Sequence, residues 1–187
     1  MLKFAILGFL NYRPLSGYDL EQQLRVSTAH FWYAGLSQIY MTLKKLEADG
    51  LVVSEVQEQE KRPDKRIYTI TADGKAEFGE WLAQPVNKVE PTKSTLLLKL
   101  FFARPVGRDA VLHQLRMMLQ AYRGKLTEYT GGLPAEASEM LASQPELQDD
   151  SIMWGIVQDF GIRYAEMAIA WLEDAIHTIE THFSEDV

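Results

Sequence analysis

The feature that most restricts this chain is the transition at Gly50. Residues 37–49 have the period of a short helix. Wound at about 100° per residue, Ile39, Leu43 and Leu46 fall in one narrow stripe, and Ser37, Gln38, Met41, Lys44 and Lys45 fall on the other side. Immediately after the glycine comes Leu51-Val52-Val53-Ser54-Glu55-Val56-Gln57, which is β-branched and strand-like. Gly50 suits the position that ends a helix, because a left-handed backbone costs it nothing. Ser37 is expected to cap the other end, its hydroxyl accepting a free backbone N–H. A helix of this length, apolar on one side and hydrogen-bonding and cationic on the other, fits a DNA major groove. An ordinary surface helix has the same pattern, so the flanking segments decide between the two.

Upstream, residues 2–12 read as a buried helix, broken by Arg13-Pro14-Leu15-Ser16-Gly17. A second helix starts at Tyr18, with Leu20 and Leu24 on its inner face and Ser16 or Gly17 as its cap. An aromatic turn follows, in which His30, Phe31, Trp32 and Tyr33 are expected in the core. Two helices joined by a turn, the second ending at a glycine, form the helix-turn-helix pattern. Downstream, residues 57–64 make a polar tip and residues 65–70 a return strand, so residues 51–70 form a charged hairpin, the wing. Thr71 is expected to cap a further helix running to Leu82, with Phe78, Trp81 and Leu82 on its apolar side.

Prolines at 85 and 91 mark a junction. The expected domains are residues 1–84, a winged helix-turn-helix with a two-stranded wing, and residues 93–187, a helical dimerisation domain, joined by a linker at 85–92. The fold class is mainly α. Residues 93–104 are apolar nearly all round and are predicted to be buried between partners. Residues 109–129 place Val111, Leu115, Met118, Tyr122, Leu126 and Tyr129 at helical steps. The last helix, from about 151 to 182, carries two stripes. One is a bulky seam of Met153, Val157, Phe160, Tyr164, Met167 and Trp171 at alternating steps of four and three, as in a coiled coil. The other, with Trp154, Ala168, Leu172, Ala175, Ile176 and Ile179, is less bulky and admits a close neighbour. One stripe is expected to pack within the chain and the other on a second subunit, giving a homodimer.

Composition excludes several classes. The chain has no cysteine, so disulfides, thiolate catalysis and cysteine-based zinc sites are absent, which suits a reducing cytoplasm. No stretch approaches the roughly 18 apolar residues of a membrane span, and the apolar N-terminus lacks a signal-peptide cleavage site. None of the four histidines stands four residues from another, and no nucleophile-elbow, zincin or phosphate-loop pattern occurs. The chain is therefore read as a non-enzyme with no cofactor and no metal. The net charge of −7 argues against casual nucleic-acid binding, but residues 1–85 hold 10 Lys/Arg against 11 Asp/Glu. The remaining 9 and 15 put most of the acidity in the second half, leaving the first half able to present a local basic surface.

Residues 36–74 resemble the winged-helix domain of the PadR family of bacterial transcriptional regulators. The matching pieces are Gln38-Ile39-Tyr40-x-Thr42-Leu43-x-x-Leu46-Glu47-x-x-Gly50-Leu51-Val52 and Arg62-Pro63-x-Lys65-x-x-Tyr68-x-Ile70-Thr71-x-x-Gly74, with Gly17-Tyr18-Asp19-Leu20 upstream. Met41 stands where the family usually has proline. The helical second half is similar in layout to the dimerisation domain of the longer, virulence-activator-like members. The resemblance implies a homodimer with two winged helices on one DNA duplex, and in some relatives a small aromatic effector.

The candidate DNA contacts are Ser37, Gln38, Tyr40, Thr42, Lys44, Lys45, Lys61, Arg62 and Lys65. Gln38 can pair with adenine, and Lys44 or Lys45 can reach guanine or phosphate. The hydroxyls of Tyr40 and Thr42 suit phosphates, although Tyr40 could instead pack against the wing. Arg62 and Lys65 match family positions at the wing and are expected beside phosphates or the minor groove. Trp81, Trp154, Trp171 and Phe101 are read as packing residues rather than an effector site. The function expected is that of a cytoplasmic homodimeric regulator, a repressor more than an activator, binding an inverted repeat. The competing class is a winged-helix protein–protein interaction module without DNA binding.

Overall fold

The computed structural model describes residues 1–28, 31–58, 65–89, 93–132, 138, 141, 144 and 147–183. It divides into two compact units, Met1–Val89 and Glu90–Val187.

The first unit begins with α1 (Leu2–Tyr12), β1 (Leu15–Ser16), α2 (Gly17–Ser27) and α3 (Leu36–Ala48), followed by β2 (Val52–Gln57), β3 (Lys65–Ile70) and α4 (Ala72–Leu82). Its core is made by the apolar stripes of the three leading helices. Ile6, Leu7, Leu20, Leu24, Ile39 and Leu43 are fully buried, and Leu46, Val52 and Tyr68 nearly so. The sheet is antiparallel in the order β1-β3-β2. The β2–β3 hairpin is the two-stranded wing expected, and β1 adds a third strand to its sheet. Leu15 pairs with Tyr68 and Ser16 with Ile67, where the sequence showed only a Pro- and Gly-punctuated break. Two residues are too few for a period to register.

Local chemistry fixes the ends of these elements. Ser16 caps α2, its hydroxyl accepting from the Asp19 amide at 3.2 Å while the Asp19 carboxylate accepts from the Ser16 amide at 3.0 Å, a reciprocal capping box. Gly50 has φ +74° and ends α3 as expected. Its carbonyl accepts the Thr71 hydroxyl at 2.8 Å, and that hydroxyl in turn accepts from the Gly74 amide at 3.1 Å to cap α4. Gly74 is required there, because an added Cβ would lie 2.2 Å from the Leu51 carbonyl oxygen. The capping role expected of Ser37 is corrected. Gly35 is the N-cap of α3 and makes no side-chain cap bond, so Ser37 lies one residue inside the helix. Phe31 and Tyr33, expected in the core, are exposed, while Trp32 is half-buried against the core. His30 lies outside the described residues. Leu82 is also exposed, and Trp81 stacks on Phe4 with ring centres 4.6 Å apart.

The second unit contains α5 (Thr95–Phe101), a 3-10 turn at Arg104–Val106, α6 (Arg108–Thr130) and α7 (Gln148–His182). α6 and α7 pack along their lengths. Val111, Leu115 and Leu172 form the centre of the contact, and the small residues Gly161, Ala165 and Ala168 let the helices approach. Arg116–Glu180 at 2.6 Å and Arg123–Glu173 at 2.7 Å run along the border. The less bulky stripe of α7 therefore packs inside the chain. The seam of Met153, Val157, Phe160, Tyr164, Met167 and Trp171 is exposed in the single chain. Leu96 and Leu100 of α5 pack against this core, while Leu97, Leu98 and Phe101, with Phe102 just beyond the helix, are exposed in the single chain.

Candidate nucleic-acid interface

The buried stripe of α3 orients everything else on it. With Ile39, Leu43 and Leu46 held in the core, Ser37, Gln38, Met41, Lys44 and Lys45 are all exposed together on the opposite face. No carboxylate among the described residues pairs with Lys44 or Lys45. The face thus offers an amide, a hydroxyl and two ammonium groups to an acceptor-rich partner. Met41 is its most exposed apolar residue, at 73%.

Two residues at the borders of this face have specific local partners. Tyr40 is 45% exposed, and its ring lies over Gly17, the first residue of α2. A Cβ on Gly17 would sit 2.5 Å from the ring. Tyr40 is therefore held against the start of α2. The Thr42 hydroxyl donates to the Gln38 carbonyl at 2.8 Å, within its own helix. A hydroxyl has one proton to give, so a contact from Thr42 to a phosphate oxygen has to break that bond.

The wing is tied to both helices of the helix-turn-helix. Lys65 Nζ lies 2.8 Å from Asp19 Oδ2 and 3.2 Å from Oδ1. Arg66 lies 3.6 Å from Glu47 on α3, and the Ser54 hydroxyl donates to the same Glu47 carboxylate. Partial burial alone would raise the Asp19 carboxyl. The bonds from Lys65 and from the Ser16 amide and hydroxyl, with the charge of Lys65, outweigh it and hold the group below its usual 3.8. Lys61 and Arg62, the other wing candidates, lie outside the described residues. The sequence reading missed Asp19 and Glu47. Their positions matched the family pieces, but nothing local announced partners 46 and 19 residues away.

No group of three or more metal-ligating side chains is found among the described residues, and no helix among them is long and apolar enough to cross a membrane.

Comparison with known proteins covers nearly all of the chain. Residues 6–80 match the model of the transcriptional regulator PadR-like family, and residues 92–180 match that of the virulence activator alpha C-terminal domain. The negative transcriptional regulator PadR of Bacillus subtilis is 31% identical over 183 residues, covering 96% of this chain and 98% of that protein. The crystal structure of Bacillus subtilis PadR in complex with operator DNA superposes with a TM-score of 0.77 at 29% identity, over 95% of this chain and 97% of that one. The structure of the same protein in complex with p-coumaric acid gives 0.70 at 28% identity, over 96% and 98%. With both halves matched in order and a relative similar along its entire length, this chain belongs to the PadR-like family of transcriptional regulators.

Proposed function

We propose that this chain is a homodimeric, sequence-specific DNA-binding repressor. The observation that carries the reading is the outward face of α3, where Ser37, Gln38, Lys44 and Lys45 are exposed together opposite a fully buried stripe. In this reading Gln38 and the two lysines address base edges and phosphates in the major groove. Tyr40, held over the start of α2, offers its hydroxyl to the backbone, and the wing tip with Lys61 and Arg62 lies along a neighbouring phosphate run or minor groove. The similar Bacillus subtilis protein is named a negative regulator and has been solved on operator DNA, which supports repression.

The dimer is supported by the exposed seam on α7 and the exposed apolar residues of α5, which the single chain leaves open. The domains proposed are a winged helix over residues 1–84, a linker at 85–92 and a dimerisation domain over 93–187. A small aromatic effector of the phenolic-acid type is proposed because that relative binds p-coumaric acid. No catalytic step and a cytoplasmic location follow from the same reading.

Footprinting tests it on the DNA immediately upstream of the chain's own coding region. A protected site with two-fold symmetry, its half-sites separated by one or more helical turns, is expected. Failure to protect any fragment at low salt would instead point to a protein-interaction module.

A further inference from the structure

Neighbouring residues of a strand leave its opposite faces. At the root of the wing, β3 uses both. Lys65 goes to Asp19 on α2, at 2.8 and 3.2 Å. Arg66 goes to Glu47 on α3, at 3.6 Å, and Ser54 of β2 donates to the same carboxylate. Asp19 is itself fixed, because its carboxylate also accepts from the Ser16 amide at 3.0 Å and the Ser16 hydroxyl at 2.8 Å. Ser16 belongs to β1, which pairs with β3 at Ile67. The cap of α2, the short strand and the base of the wing therefore share one carboxylate.

We propose that Asp19, aided by Glu47, is a positioning residue that clamps the wing root to both helices of the DNA-binding unit, and that Lys65 serves this clamp rather than a phosphate. The proposal rests on the DNA-binding reading above and revises the role expected of Lys65. A lysine already bridging both oxygens of a fixed carboxylate brings no free charge to the duplex. What it supplies is direction. Gln57 and Lys65 are the last pair of the β2–β3 ladder, so a rotation of the strands there changes the direction in which the hairpin points. With Lys65 and Arg66 anchored on opposite faces, that rotation is opposed in both senses.

The test is a salt titration of DNA affinity for the full-length protein, using the upstream fragment with wild type, Asp19→Asn, Lys65→Met and the double variant. Asn keeps an oxygen for the Ser16 donors and removes only the charge. Each single variant is expected to weaken binding about two- to fivefold, the size of one partly exposed ion pair. The double variant should be no weaker than the worse single one, and the dependence of affinity on salt should keep its slope. A slope reduced by about one in Lys65→Met, with Asp19→Asn unchanged or tighter, would make Lys65 a phosphate contact and overturn the clamp. Amide hydrogen exchange of residues 65–70 provides an arm without DNA. Faster exchange at these residues, beyond any change in the other core amides of the unit, is expected in both single variants, and unchanged exchange would overturn the clamp. Wild type that binds no DNA, with accelerated exchange in the variants, would instead remove the DNA-binding reading and leave the clamp standing.

Discussion

A methyl group at Gly74 has no room, since its ideal position is 2.2 Å from the Leu51 carbonyl oxygen, which is backbone and cannot rotate away. Gly74→Ala should destabilise the first unit by about 1–3 kcal/mol, the usual cost of overpacking, seen as a lower urea midpoint. Asp19 gives a pH signature. Its folded-state pKa lies below 3.8, so folding favours the carboxylate. That contribution is complete above the ordinary carboxylate range and is lost as pH falls through the folded value. The stability difference between wild type and Asp19→Asn should therefore be constant near neutrality and shrink in acid, measured by denaturation at a series of pH values. Residues whose role is local were legible in the sequence. Ser16, Gly50 and Thr71 each act on a neighbour one to four residues away or end an element by their own backbone freedom. Phe31 and Tyr33 were misread because whether an aromatic turn is covered depends on what packs over it, which no period reports.

At the scale of elements, the helices were readable because each has one wet and one dry face. The seam on α7 and its less bulky partner stripe were separable by residue size alone. What the sequence did not settle was which of the two α6 would cover. The structure puts the small side inward, where Gly161, Ala165 and Ala168 admit α6 closely. Leu172 is fully buried there, and Leu172→Ala should cost about 2–5 kcal/mol, read from denaturant unfolding of the second unit. Phe160, at 58% exposure, belongs to the open seam. Phe160→Glu should leave secondary structure intact by circular dichroism and shift the sedimentation coefficient from dimer to monomer. A wild-type monomer at micromolar concentration would contradict the seam's proposed role. β1 escaped notice for a different reason: it exists only because β3 is there to pair with it.

For the molecule as a whole, the sign of the charge is the least obvious feature. A chain of net charge −7 is proposed to bind a polyanion. The conflict is resolved by placement, since residues 86–187 carry 9 Lys/Arg against 15 Asp/Glu while residues 1–85 are nearly balanced. Within that first part, Lys44 and Lys45 stand exposed on the outward face of α3. Local potential at the groove, rather than net charge, sets the counterion release that drives binding. The most direct measurement is the affinity of the full-length dimer for its upstream DNA, by fluorescence anisotropy across a range of salt concentrations, for wild type and Lys44→Ala/Lys45→Ala. Wild type should show log affinity falling linearly with log salt. The double variant, equally stable, should lose most of the binding and reduce the slope by up to about two. Equal affinity and equal slope for the two proteins would contradict the assignment of α3 as the element that meets DNA.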